Sequence, residues 1–253
     1  MDIFDLTGKV AVVTGGNGGL GLGMALGLAR AGASIAVAAR NEDKARPALA
    51  AIEAAGARAL FVGTDVADRQ SCLSMAERIA DAFGRIDILV ANAGLAGVGH
   101  PEDMAEEEWR RVLDVNLSGS FFSTQAVHPH MVAAGGGKII LLGSMTSIFG
   151  HGGAAHYAAS KGGVVQLAKS LAISWARHNI QVNAVLPGWF ATDIVAEAKA
   201  ASPEFDAAIV ARTPARRWGE PRDLEGVAVF LSSPASDFVT GIAIPVDGGY
   251  AIK

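Results

Sequence analysis

Seven short apolar runs, separated by longer stretches of helical character, set the tightest limit on how this chain can fold. The runs at 10–14, 35–39, 59–63, 88–91, 139–143, 181–186 and 242–246 are mostly apolar at consecutive positions. Strands of that kind are covered on both faces, as in a parallel sheet. Helical stretches are expected at 20–31, 43–55, 69–83, 106–133, 157–178 and 222–232, one in each gap between runs. Parallel neighbours need a crossover rather than a tight hairpin, and these helices supply it. The pattern predicts one α/β domain over 1–253: a doubly wound parallel sheet of about seven strands with helices on both faces.

Local punctuation fits that division. Gly32, Gly56 and Gly84 each follow a helical stretch, where a left-handed residue ends a helix. Asn41 and Asp68 stand where N-caps are expected. The segment 190–217 is Ala-rich and carries Pro203 and Pro214. It reads as helical pieces forming a mobile lid over a site, or as a surface excursion with no gating role.

Composition narrows the function classes. The net charge of -4 leaves no basic surplus to neutralise phosphates, so nucleic acid is not an expected partner. Cys72 is the only cysteine, which excludes an intrachain disulfide and a cysteine-based zinc site. His128 and His130 form a pair with no carboxylate or cysteine in their segment, so no metal is expected there. The N-terminus has two acids and no apolar core of a signal peptide. The longest stretch without Asp, Glu, Lys or Arg, 139–160, is broken by glycines and two histidines and is no membrane span. The expected location is the cytoplasm.

The first strand runs into Thr14-Gly-Gly-Asn-Gly-Gly-Leu-Gly21 and then a helix. Glycines allow a tight turn and close approach of backbone N–H groups to a pyrophosphate, and the helix N-terminus adds partial positive charge. Two registers compete: Gly16, Gly18 and Gly21, or Gly15, Gly19 and Gly21. Gly23 and Gly27 lie further along the helix, where close helix–sheet packing would offset their low helix propensity. The second strand ends Ala38-Ala-Arg40. A carboxylate there would bind the hydroxyls of an NAD ribose, whereas Arg40 can pair with a 2′-phosphate or stack on adenine. The reading favours NADP over NAD.

Ser144 closes the fifth strand, at the strand end where open α/β sheets place ligands. Tyr157 and Lys161 are four residues apart, on one face of the next helix. A lysine ammonium beside a phenol favours phenolate and lowers the tyrosine pKa. The phenol can then trade a proton with an alcohol or ketone oxygen that Ser144 also hydrogen-bonds.

With these residues in order the chain resembles the short-chain dehydrogenase/reductase family over its whole length. The resemblance rests on Thr14-Gly15, Gly19-Leu-Gly21, Asp65-Val66, Asn92-Ala-Gly94, Asn116, Ser144, Tyr157-Ala-Ala-Ser-Lys161, Pro187-Gly188 and Val246-Asp-Gly-Gly249. It implies a Rossmann-like fold and hydride transfer between NAD(P)(H) and a secondary alcohol or ketone. It implies cofactor contacts from Gly15, Asn17, Gly19, Leu20, Gly21 and Arg40. Asp65 and Val66 would meet the adenine; Asn92, Ala93 and Gly94 would support the sheet beside its ribose. Asn116 would hold a water in a proton relay through Lys161, which also binds the nicotinamide ribose. Pro187, Gly188, Phe190 and Thr192 would border the carboxamide. A homotetramer built on helices 106–133 and 157–178 is also implied.

The nearest-looking branch holds gluconate-type sugar-acid dehydrogenases and 3-oxoacyl-carrier-protein reductases. A non-catalytic NAD(P)-binding sensor is the reading from another class. His151, His156, Met145, Phe149 and Trp189 are candidate pocket residues, and Trp218 is a pocket wall or a packing anchor. Arg212, Arg216 and Arg217 could attract an acidic substrate or be a solvated stretch.

Overall fold

The computed structural model describes residues 3–192 and 202–253. The strands are β1 (Val10–Thr14), β2 (Ser34–Ala39), β3 (Ala59–Gly63), β4 (Ile88–Ala91), β5 (Gly137–Leu142), β6 (Ile180–Pro187) and β7 (Ala243–Val246). They form one seven-stranded sheet in the order β3-β2-β1-β4-β5-β6-β7, and every pairing is parallel. The helices are α1 (Gly19–Arg30), α2 (Glu42–Ala54), α3 (Arg69–Phe83), α4 (Glu106–Leu113), α5 (Gly119–Ala133), α6 (Ala155–Trp175), α7 (Pro203–Arg212) and α8 (Glu225–Ser232).

Strand alternation sends side chains into two cores. On one face Val10, Val12, Leu89, Ala91, Ile139 and Leu141 meet α3, α5 and α6 through residues such as Met75, Val127 and Val164. On the other, Ala11, Val13, Ile88, Val90, Ile140 and Leu142 meet α1, α2 and α8 through Met24, Ile52 and Leu231. Burying both faces explains why the strands read as continuous apolar runs. Full burial of a Val or Ile side chain is worth about 1.5–3 kcal/mol, so these layers outweigh any single polar contact in the domain.

Caps appear where expected. The Asn41 side chain accepts from Lys44 N at 2.9 Å and Asp68 from Gln70 N at 2.8 Å. Gly32, Gly56 and Gly84 all have positive φ. At the N-terminal edge of the sheet Asp87 accepts from Val10 N, from Lys9 and from both nitrogens of an Arg85 fork. Charge at that edge ties strands together.

Three boundaries differ from expectation. The stretch 106–133 is not one α-helix: a π-helical turn at Asp114–Ser118 separates α4 from α5, with Gly119 N–H donating to Asp114 O. The last turn of 157–178 tightens into a 3-10 segment, Ala176–His178. The stretch from 222 begins as the 3-10 turn Pro221–Leu224, and only then becomes α8. Gly23 and Gly27 do not approach the sheet. A Cβ at Gly23 would lie 2.6 Å from the carbonyl carbon of Pro221, and one at Gly27 2.8 Å from the Cα of Glu225. Close contact with the 3-10 turn at Pro221 and with the first residue of α8 therefore explains both. Of the expected lid, 193–201 falls outside the described residues; α7 accounts for much of the remainder.

Candidate active site

The chain runs outward from β1 to β2 and β3, then crosses back to β4. The C-terminal ends of β1 and β4 thus diverge and leave the crevice in which such sheets take ligands. Thr14 ends β1. Its hydroxyl accepts from Asn92 N at 3.0 Å and Ala93 N at 3.1 Å, while Asn92 Nδ2 donates to Thr14 O at 2.9 Å and Gly15 O at 3.1 Å. Asn92 thereby staples the two diverging strand ends together. Gly15 turns with φ +65°, and a Cβ there would stand 3.0 Å from Ala93 Cα. A Cβ at Gly21 would stand 2.5 Å from Asn92 Nδ2 and also meet the Gly15 carbonyl oxygen. Gly18 has open space and extended backbone. The structure thus selects the Gly15, Gly19 and Gly21 register. Gly18 caps α1 without a side chain, and the first N–H to bond back is Leu22 to Gly18 O at 3.1 Å. The amides of Gly19 and Leu20, in the first turn of α1, are therefore free to meet an anion.

The other residues read for the nucleotide lie around this crevice in different ways. Asn17 is half-buried on the loop, and Thr192 Cγ2 would be 3.7 Å from a Cβ at Gly19, so Thr192 faces the glycine turn. Arg40 is exposed beyond β2, beside the capped start of α2. Asp65 is exposed and accepts from Ala67 N at 3.0 Å, leaving acceptor capacity on the carboxylate. Val66 is buried against Gly119, so it is a packing residue first. Gly94 adjoins Asn116 and Lys161: a Cβ there would be 3.2 Å from Asn116 Oδ1 and 3.4 Å from Lys161 Nζ. Pro187 ends β6, and Gly188 has no room for a side chain, with Asp247 Cα 2.7 Å from the place a Cβ would take. Phe190 is buried in the core and packs on Gly219, which leaves mainly its backbone to border a ligand.

Ser144, Tyr157 and Lys161 come together at the C-terminal end of β5. The Ser144 hydroxyl lies near enough to that of Tyr157 to hold its pKa down, and it accepts from Thr146 N at 3.2 Å. Lys161 Nζ lies 5.8 Å from the centre of the Tyr157 ring and donates to Leu142 O at 2.7 Å. Lys161 is buried with only 4% of its surface exposed, and the cost of desolvating its ammonium brings its pKa down to about 8. Burial pushes the Tyr157 hydroxyl above its ordinary value, and the Ser144 hydrogen bond opposes that rise. Desolvation is thus the larger influence on the phenol, against which a lowering by the Lys161 ammonium would have to work, and that ammonium also donates to a carbonyl.

Ser147 positions the site without any sequence signature, and Asn116 does so through its side-chain amide. Ser147 Oγ accepts from Ser144 N at 3.1 Å and donates to Lys161 O at 2.7 Å, linking the strand end to α6. Asn116 is fully buried inside the π-helical turn. Its Oδ1 accepts from Leu95 N at 2.7 Å; its Nδ2 donates to Leu95 O and to Ser160 Oγ, both at 3.0 Å. Ser160 Oγ in turn donates to Tyr157 O at 2.8 Å. The amide of Asn116 is thus committed to holding the Leu95 loop against α6.

The pocket candidates divide. Met145 is buried in the core. His151 is exposed and accepts from Gly153 N at 3.3 Å, as a turn residue. His156 is fully buried under Gly97, with Nε2 3.6 Å from Glu108 Oε1. Trp189 is half-buried and stacks edge-on with Phe205, Trp218 and Tyr250. Trp218 is a packing anchor, 6% exposed, with its indole N–H donating to Asp206 at 2.7 Å. A cavity of about 150 Å³ behind Trp189, bordered by Arg217, Asp223 and Asp247, is not lined by Ser144, Tyr157 or Lys161. Among the described residues no cluster of His, Cys, Asp and Glu could hold a metal, and no helix is long and apolar enough to cross a membrane.

A crevice shaped for a pyrophosphate, beside a tyrosine able to exchange a proton, meets the needs of a nicotinamide-dependent dehydrogenase, the class this fold and site define. Comparison with known proteins agrees. The model of the enoyl-(acyl carrier protein) reductase family of short-chain enzymes matches residues 15–251. Gluconate 5-dehydrogenase of Gluconobacter oxydans (strain 621H) is 40% identical over 252 residues, covering 100% of this chain and 98% of that one. The 2-dehydro-3-deoxy-D-gluconate 5-dehydrogenase of Escherichia coli K12 is 43% identical over 254 residues, covering 100% and 99%. The crystal structure of a gluconate 5-dehydrogenase from Burkholderia cenocepacia J2315, in complex with NADP and tartrate, has a TM-score of 0.95 at 40% identity, covering 100% and 98%. The chain belongs to the short-chain dehydrogenase/reductase family. It is an NAD(P)-dependent oxidoreductase acting on CH–OH groups, between secondary alcohol and ketone.

Proposed function

We propose that this enzyme interconverts a secondary hydroxyl of a sugar acid and the matching ketone, with NADP(H) as its cofactor. The observation that carries the reading is the meeting of Ser144, Tyr157 and Lys161 at the end of β5, next to the glycine turn of β1. Bound there, the nicotinamide supplies or takes up the hydride. Tyr157 exchanges the proton with the substrate oxygen, and Ser144 hydrogen-bonds that oxygen as charge develops on it. Lys161 stabilises the phenolate by its charge and binds the nicotinamide ribose. Asn116 acts by position, keeping Leu95 and Ser160 in place around the lysine and supporting a proton relay.

Gly15, Asn17, Gly19, Leu20 and Gly21 hold the pyrophosphate; Asp65 and Val66 take the adenine; Asn92, Ala93 and Gly94 border its ribose. Pro187, Gly188, Phe190 and Thr192 border the nicotinamide. Arg40, exposed and next to the N-terminus of α2, supports the preference for a 2′-phosphate. The Burkholderia relative with NADP points the same way. The sugar-acid class comes from the relatives, with His151 and Trp189 on the substrate side and segment 190–217 as a lid. Exposed Trp109, Phe121, Val132 and Ile173 on α4, α5 and α6 support a homotetramer built on those helices. The enzyme is read as cytoplasmic.

The test is NADPH and NADH consumption against keto-sugar acids, diketones, cyclic ketones and β-ketoacyl esters, with Tyr157→Phe alongside. The variant should lose about three orders of magnitude in kcat while still binding cofactor. In the oxidative direction the wild-type rate should fall as pH drops, since fewer phenolates remain. A Tyr157→Phe enzyme with near-normal turnover would remove the proposed mechanism.

A further inference from the structure

The rings of Phe149, Trp189 and Tyr250 come from the segments that follow the C-terminal ends of β5, β6 and β7. They meet in one wall: Phe149 and Tyr250 have ring centres 6.1 Å apart, Trp189 and Tyr250 6.5 Å apart. Three adjacent strand ends of an open α/β sheet border the ligand crevice, so this wall stands on its substrate side, beyond Ser144. Against it lies Arg212, the last residue of α7. Its guanidinium carbon is 4.2 Å from the centre of the Tyr250 ring and 5.9 Å from that of Phe149.

The neighbouring arginines are committed elsewhere. Arg217 forms a two-pronged pair with Asp223 at 2.6 and 2.9 Å. Arg216 donates to Ala211 O at 3.0 Å, an oxygen that also accepts from Lys253 at 2.9 Å. Arg212 is exposed, and among the described residues it has no carboxylate partner. Stacking on an aromatic face fixes the plane of a guanidinium without using its N–H donors. A planar fork held in that way matches a carboxylate two bonds to two. One uncommitted fork suits a monoanion better than a phosphate dianion.

We propose that Arg212 is a specificity-determining residue that binds the carboxylate of the substrate, oriented by Tyr250 and Phe149. This deepens the sugar-acid reading and rests on it. It also separates Arg212 from Arg216 and Arg217: of these three, only Arg212 lacks a carboxylate or carbonyl partner among the described residues and is held against the aromatic wall.

Two measurements test it. The first compares kcat/KM for D-gluconate and for D-gluconamide, which keeps every hydroxyl and loses the charge. Arg212→Gln should lower the acid-to-amide ratio at least ten-fold, mainly through KM. Arg212→Lys should recover part of it, since charge returns but the planar fork does not. An unchanged ratio in Arg212→Gln overturns the proposal. The second is calorimetric titration of the NADP-loaded protein with D-gluconate, which needs no turnover. Binding ten-fold weaker in Arg212→Gln supports the assignment even if the hydroxyl oxidised belongs to another acid. Equal binding by the two proteins, or none by the wild type, overturns it. Failure of the wild type to turn over any sugar acid, with gluconate binding still dependent on Arg212, would sink the proposed reaction and leave the carboxylate site standing.

Discussion

The two sides of the crevice are built on opposite principles. On the nucleotide side, between β1 and β4, backbone touches backbone, and Gly15 and Gly21 leave no room for a Cβ. On the substrate side, beyond β5, β6 and β7, rings touch rings, and Phe149, Trp189 and Tyr250 supply the wall. A surface defined by missing side chains tolerates almost no change. One made of side chains on three separate connections can be rebuilt without disturbing the sheet. The contrast suits an enzyme that keeps one class of cofactor while its substrate is a matter of loop chemistry.

The largest test of this contrast is Gly21→Ala against Gly18→Ala. The first drives a methyl into Asn92 and the Gly15 carbonyl, both part of the strand-end staple; the second meets nothing within 4 Å. Overpacking of that kind costs about 2–3 kcal/mol, a fall of roughly 5–10 °C in Tm for a domain of this size. NADP affinity should fall with it, read by fluorescence titration, while Gly18→Ala stays near wild type on both counts. Equal behaviour of the two would mean that the turn is not tightly packed.

Next in size is Lys161→Met, which should abolish turnover and raise stability. A lysine held at about 8, against an ordinary 10.5, carries a folding penalty of about 3 kcal/mol when charged. The lost bond to Leu142 O offsets part of it, leaving a gain of about 1–2 kcal/mol at neutral pH. The sign follows from linkage: the folded pKa is the lower one, so the penalty is complete below pH 8 and fades as pH rises from 8 to 10.5. Denaturant melts of the two proteins should therefore converge over that window. A variant less stable than wild type at pH 7 would break the argument.

The smallest effect expected is at Arg40, exposed on the rim. Arg40→Ser should lower the ratio of kcat/KM for NADPH to that for NADH about ten-fold, or about 1.4 kcal/mol, with little change in Tm. An unaltered ratio would remove Arg40 from cofactor selection.

The same contrast explains what could be read before the structure. The sheet and the presence of a glycine turn follow from apolar runs and from residues that lack a Cβ, and these leave marks at fixed spacings; the strand order and the choice between two glycine registers do not. Ser144, Tyr157 and Lys161 were legible for the same reason, since a strand end and an i,i+4 helix pair have set geometries. The partner of Lys161 is the carbonyl of Leu142, a backbone atom with no residue preference. Phe190 and Met145 are apolar and near the site, but their side chains turn into the cores. The wall of Phe149, Trp189 and Tyr250 joins residues about 40 and 60 positions apart in the sequence, a distance no local pattern reports. The π-helical turn is hidden as well, because its five residues suit an ordinary amphipathic helix.

That turn makes the enzyme sensitive to residue count as well as to residue type. An α-helix advances about 100° per residue, so one residue more or fewer between α4 and α5 would swing Asn116 off the axis on which Leu95 and Ser160 receive it. A single-codon deletion near Asp114–Ser118 would leave composition and hydropathy almost untouched, and a more regular helix in place of the turn. It would still unhook the loop that carries Leu95 from the helix that carries Tyr157 and Lys161. In families of such enzymes, the length of this helix pair should therefore be inherited more strictly than its letters.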